Sequence, residues 1–379
     1  MFGCARITCT AANGVRVSSA TAYLNTIKNR LNLKLLKRTL ATKILLNGAN
    51  KAYGVEVERA GRKFTFLAKK EVIVSAGTIN TPQLLMLSGI GPREHLSSKN
   101  IPVKVDSPMV GQNLQDHPTV TVTFYTNGPF VNVTTQFFNA FQYLYNRTGP
   151  LAKNSFADIL SFYSSNKDAL YPEYQNHVQF YFKNDTSLQN LYTNVFSYNA
   201  PVVNSIVELN KKHVTIVFLL NVLHPLSRGN ISLASNDPKV HPLIYPNYFS
   251  NPKDLDSAVK GIRILTKILN TKYFRSVKGF LGRINWPPCD KYTLDSDDYW
   301  KCISLNTART VHHQVGTCKM GPDPNSSVVS SKLKVHGVTG LRAIDASVMP
   351  TITSGNTNGP TSMIAERGSD LVKETYNRL

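Results

Sequence analysis

From about residue 33 to residue 75, short apolar runs alternate with turn signals. This pattern predicts strands over 33–36, 43–46, 52–58, 63–68 and 71–75, with turns at Asn47-Gly48 and Ala60-Gly61. The alternation in Tyr53-Gly-Val55-Glu-Val57-Glu reads as a half-buried strand, and the unbroken Val72-Ile73-Val74 reads as a fully buried one. The period then changes. Ala76-Gly77-Thr78-Ile79-Asn80-Thr81-Pro82 is a run of small residues that reads as a turn. Thr81 is expected as a helix N-cap, with Pro82 at the first helical position. Leu84, Leu85 and Leu87 give that helix its apolar side, and Gly89 ends it.

The middle of the chain has a different texture. Aromatic-rich strands are expected over 119–125, 177–182 and 213–220, and a helix over 254–269. Strand-turn-helix logic returns near the C-terminus: a short buried strand over 341–344, a turn at Asp345-Ala346-Ser347, a polar loop over 350–359, and a helix from Pro360 to about residue 374. The predicted class is α/β, α+β taken over the whole chain. Residues 119–275 form an antiparallel-sheet domain inserted between two parts of another domain, 1–118 and 276–379.

At 379 residues and 42% hydrophobic composition the chain can bury a sizeable core. Its net charge of +20 is dispersed, with only short clusters such as Lys34-Leu-Leu-Lys37-Arg38. Dispersed charge steers anions without providing a binding register, so nucleic acid is not expected as a partner. The five cysteines, Cys4, Cys9, Cys289, Cys302 and Cys318, make no CxxC pair and no Cys/His metal spacing. Cys289 and Cys302 bracket a polar loop that a disulfide would close in a secreted protein; two ordinary thiols are the alternative. Sequons at Asn132, Asn146, Asn184, Asn230 and Asn325 point the same way, although no apolar leader follows Met1. The longest apolar run, 214–223, is too short to cross a bilayer.

The small-residue turns at 76–82 and 345–347 allow a backbone to approach a cofactor closely, and they also suit ordinary structural turns. The surrounding residues narrow this. Gly77-Thr-Ile-Asn-Thr81-Pro82-Gln-Leu84-Leu85-Met-Leu-Ser88-Gly89-Ile90-Gly91-Pro92 resembles the second signature of the glucose-methanol-choline (GMC) oxidoreductases. Val110-Gly111-Gln-Asn113-Leu114-Gln115-Asp116-His117 resembles the family's following loop, Pro225-Leu-Ser227-Arg228-Gly229 a turn of its substrate domain, and 313–371 its C-terminal block. The likeness is greatest to insect glucose dehydrogenases of the FAD, quinone type.

The resemblance implies hydride transfer from an alcohol or sugar to FAD, with a quinone or other electron acceptor and an active-site base for the hydroxyl proton. It assigns the base to His313, in His313-Gln314-Val315-Gly316-Thr317-Cys318, with His312 as the neighbour easily confused with it. A neutral imidazole suits that work near pH 7. Asn356, in Ser354-Gly355-Asn356-Thr357-Asn358, matches the second catalytic position, where an amide can orient the alcohol without competing for its proton. Ala41, Asp345, Ala346 and Thr357 match FAD-contacting positions, and the helix after Asn356 would turn its positive end to the flavin. His117, His241 and His336 are read as ordinary polar residues.

The family's opening G-x-G-x-x-G turn is not found in these 379 residues. The FAD-binding domain is therefore expected to be incomplete and to bind FAD poorly alone, as an incomplete gene product or as a catalytically silent secreted relative. Gln314 stands where proline is usual and is expected to loosen its loop. Tyr245 stands where an acidic residue is common.

Overall fold

The computed structural model describes residues 2–128, 133–152 and 159–377, with backbone only for 133–136. The sequon at Asn132 lies outside the described residues. The chain divides into two units, each assembled from three separate stretches.

One unit comprises Met1–Leu35, Pro118–Leu223 and Pro252–Arg309. Its frame is a six-stranded antiparallel sheet in the order Gly3–Arg6, Ile159–Tyr163, Tyr174–Tyr181, Val214–Val222, Thr119–Thr126, Phe280–Leu281. The Thr119–Thr126 and Val214–Val222 strands are buried at every position, so their threonines and Asn221 are enclosed along with the apolar side chains. The amphipathic helix Pro252–Thr266 packs on Val214–Val222, and Gly261 is required there: a Cβ would lie 2.8 Å from the Tyr174 ring. Cys289 and Cys302 are joined as a disulfide.

The second unit comprises Leu36–His117, His224–Asn251 and Thr310–Leu379. This division differs from the one expected from sequence. Residues 224–251 belong with this unit because Gly229 and Ile231 bond to Leu114 and Gly111, and 276–309 belong with the antiparallel sheet through Phe280–Leu281. A three-stranded antiparallel sheet, Leu40–Leu46, Ala52–Arg59 and Arg62–Leu67, adjoins a parallel pair, Val72–Val74 with Leu341–Ala343. Residues 33–36 are not a strand; they precede the first one without a ladder partner. Ile73, expected to be buried, is 45% exposed, because its strand pairs with Leu341–Ala343 on one edge and covers only one face.

Both strands of the parallel pair run into turns that start helical segments, Gly77–Leu87 and Ala346–Val348. The Gly77–Leu87 helix begins earlier than expected, so Pro82 lies inside it. Its cap comes from elsewhere: Asp345 accepts hydrogen bonds from the Gly77 N–H at 3.0 Å and the Thr81 hydroxyl at 2.6 Å. Proline at 82 cannot donate to the Thr78 carbonyl one turn back. The Thr317 hydroxyl donates to that carbonyl instead, at 2.5 Å. The helix ends as the sequence indicated, with Gly89 at φ +87°. Its leucines join Val110, Val329, Leu341 and Leu371 in the core. Arg342, fully buried, binds Glu71 at 2.9 Å, the Lys332 carbonyl and the Thr375 hydroxyl, tying the C-terminal helix Asn358–Thr375 to the strands.

Candidate active site

Residues 115 and 315 form an antiparallel bridge, with N–H to carbonyl distances of 3.0 Å and 2.9 Å. Carried on two residues, the same register sets His117 opposite His313. Directly opposed residues project to the same side of an antiparallel pair. The rings meet there: Nδ1 of His117 lies 3.0 Å from Nδ1 of His313, with centroids 5.1 Å apart and planes at 86°. Both are buried, His117 completely and His313 at 6% exposure. His312, with φ +64°, is exposed. His336 bonds to the Ser327 hydroxyl and the Gly321 carbonyl, and His241 is exposed, so both remain outside the site.

One carboxylate anchors the two histidines. Asp116 Oδ1 accepts the backbone N–H of His117 at 2.9 Å and of His313 at 3.2 Å, while Tyr248 donates its hydroxyl to Oδ2. Burial pushes the Asp116 carboxyl up from the ordinary carboxylate range; hydrogen bonds from Thr310, Tyr248 and these two N–H groups pull the other way.

Gln115 and His117, two apart in an extended segment, share a face and grip one loop. Gln115 donates to the Pro350 carbonyl at 3.1 Å and accepts from the Ile352 N–H at 3.2 Å. The Nε2 of His117 lies 3.1 Å from the Thr353 carbonyl oxygen. Asn356 follows three residues later in this loop, exposed, and Thr357 is buried at the N-cap of the Asn358–Thr375 helix. That helix opens two residues before Pro360, which lies in its first turn.

The strand-to-helix turns come to the same place. The Thr78 hydroxyl donates to the Gln314 carbonyl at 2.7 Å, and the Gly316 N–H to the Ala346 carbonyl at 3.3 Å. Gln314 does not loosen its loop, because its amide also donates to the Thr310 hydroxyl at 2.7 Å. Glycine is required at 316, where φ is +93° and a Cβ would lie 2.7 Å from the Asn113 carbonyl oxygen. Asp345 spends its carboxylate on Gly77, Thr81 and the Ser347 N–H, so its part at the turn is to hold the backbone shape. Ala41 is not drawn in; it is exposed on Leu40–Leu46, beside a register shift. Among the described residues no group of His, Cys, Asp and Glu could hold a metal ion. No helix there is long and apolar enough to cross a membrane.

Sequence reasoning read His117 as an ordinary polar residue and did not single out Tyr248; the structure brings both to Asp116. The available signal for His117 was its place at the end of the resembling loop, next to Asp116. Tyr248 carried none, since its partner lies 132 residues away.

Two family models, both described as GMC oxidoreductase, match residues 2–119 and 225–365. The chain belongs to the GMC oxidoreductases. Glucose dehydrogenase [FAD, quinone] of Drosophila melanogaster is 36% identical over 374 residues, 97% of this chain and 57% of the relative. Ecdysone oxidase of Bombyx mori is 39% identical over 373 residues, 97% of this chain and 53% of the relative. This GMC chain thus spans a little over half the length of these curated relatives. Among solved structures, Aspergillus oryzae formate oxidase superposes with a TM-score of 0.81 at 26% identity, covering 100% of this chain and 66% of that one.

Proposed function

We propose that this GMC chain provides the catalytic part of an FAD-dependent oxidoreductase acting on the CH–OH group of an alcohol or sugar, with His313 as general base. The observation that carries the reading is the hydrogen bonding of the His313 segment to both strand-to-helix turns, Thr78 to Gln314 and Gly316 to Ala346. Ligands of open parallel sheets bind beyond the carboxyl ends of the strands, where these turns lie.

The residues present suit a flavin at that place. Gly77 adopts φ +82° with nothing within 4 Å of where a Cβ would stand, leaving its backbone approachable. Thr353 Oγ1 is buried without a partner in the loop that His117 holds. The turn at Asp345 and Ala346 and the first turn of the helix after Thr357 would hold the flavin end, and Ala41 would meet the adenine end. Bound FAD would supply the hydride acceptor. His313 would take the hydroxyl proton while Asn356 orients the alcohol, and a quinone or other acceptor would complete turnover. The Cys289–Cys302 bridge supports a secreted setting for the enzyme.

The test is dye reduction by the full-length flavin-loaded protein with a panel of alcohols and sugars. His313→Ala should lower kcat/KM by about 10²- to 10⁴-fold, the usual share of a general base, with flavin absorbance retained. Unchanged turnover in the variant would remove His313 from this role. Wild-type protein that neither retains flavin nor reduces dye would instead be a catalytically silent relative.

A further inference from the structure

We infer that His117 is a positioning residue that fixes the tautomer of His313, placing the lone pair of the proposed base on Nε2. The inference rests on the reading of His313 as general base and adds how that base is kept in its working form.

The chain of hydrogen bonds ends at the Thr353 carbonyl. A peptide carbonyl only accepts, so the Thr353 oxygen 3.1 Å from His117 Nε2 requires the hydrogen on that nitrogen. A neutral imidazole carries one N–H, which leaves Nδ1 of His117 as an acceptor. The nitrogen facing it at 3.0 Å, Nδ1 of His313, must then donate. Neutral His313 is thereby the Nδ1–H tautomer, with its lone pair on Nε2. The 5.1 Å centroid separation is what two rings abutting nitrogen to nitrogen give, so the contact is a hydrogen bond along both ring planes and not a face stacked on an edge.

Two features keep the arrangement from relaxing. Asp116 Oδ1 accepts both backbone N–H groups, so the two rings hang from one point. Reversing the His117 tautomer would set its Nε2 lone pair against the Thr353 carbonyl in a buried place. A histidine whose second nitrogen is held by a fixed partner presents a defined first nitrogen, the logic by which outer hydrogen-bond partners orient metal-bound histidines.

The experiment is two-bond proton–nitrogen correlation NMR on the full-length holoprotein labelled with ¹⁵N-histidine, with the His313 ring assigned by its loss in His313→Gln. The wild type should show His313 protonated at Nδ1 and unprotonated at Nε2. His117→Leu removes the acceptor and should shift that ring toward the Nε2–H form. His117→Asn offers an amide oxygen near the Nδ1 position and should keep the Nδ1–H form. In dye reduction, kcat should fall about 10- to 100-fold in His117→Leu, the usual cost of losing an outer partner, with KM little changed and His117→Asn recovering most of it. A wild-type His313 found as Nε2–H overturns the inference, as does an unshifted ring in His117→Leu. If His117→Leu does not fold, His117→Gln, which leaves the Nδ1 side without an acceptor, takes its place beside His117→Asn. Should His313→Ala stay active while the tautomer behaves as described, the failure belongs to the reading of His313 as base and not to the positioning by His117.

Discussion

The Gly77–Leu87 helix contains a proline that its own backbone cannot accommodate, and a side chain from 239 residues away supplies the missing donor. Thr317→Val tests this with almost no change of shape, since a methyl replaces the hydroxyl at a fully buried position. The variant leaves the Thr78 carbonyl without its Thr317 donor, and a buried polar group left unpaired costs about 1–3 kcal/mol. In exchange rates that is roughly 5- to 150-fold. Both tryptophans, Trp286 and Trp300, belong to the other unit, so their fluorescence is the wrong probe. Native-state hydrogen exchange at the amides of Leu84, Leu85 and Leu87 reads the helix directly. Pro82→Ala returns an N–H to the helix one turn after Thr78, and in that background Thr317→Val should cost well under half as much. Equal costs in the two backgrounds, or no faster exchange in the single variant, would refute the substitution of Thr317 for the absent proline N–H.

Two further outcomes follow from buried charge. Arg342→Met leaves Glu71 buried beside an apolar neighbour and should cost about 3–5 kcal/mol, while Arg342→Met with Glu71→Leu should recover most of it; urea unfolding followed by far-UV circular dichroism measures both. Burial holds the His177 imidazole down from 6.5 to about 4, so it folds neutral. Its share of the stability is complete above about 6.5 and is lost as the pH falls toward 4, because there the unfolded chain binds the proton first. His177→Phe should flatten the acid limb of the stability profile in that window, and an unchanged slope would assign the acid sensitivity elsewhere.

What could be read from the sequence depended on how local the cause was. The strand at Ala52–Arg59, the helix stop at Gly89 and the Cys289–Cys302 loop each depend on neighbours in the chain and stand in the structure as expected, except that within the strand Tyr53 is exposed and Gly54 buried, against the alternation read there. The start of the Gly77–Leu87 helix was misplaced because its cap, Asp345, is 268 residues from Gly77. Ile73 was misjudged because three apolar residues in a row do not say whether both faces of a strand will be covered. His313 was singled out by a motif and His117 was read as an ordinary polar residue; that their rings face each other depends on a register between distant segments, residues 115 and 315, which no local pattern records.

The hydrogen bonds that shape the candidate site join residues 77–117 to residues 310–353, and this has a consequence for the order of biosynthesis. A ribosome delivers the Gly77 helix, Asp116 and His117 more than 190 residues before His313. Throughout that interval the helix has no Asp345 at its start, the Thr78 carbonyl has no Thr317, and His117 has no ring to face. The early segments must wait, partly solvated, for the last 70 residues. Premature termination near residue 310 would leave much of the antiparallel sheet able to form and the candidate site without its defining half, so any activity should appear only once the final segment has docked.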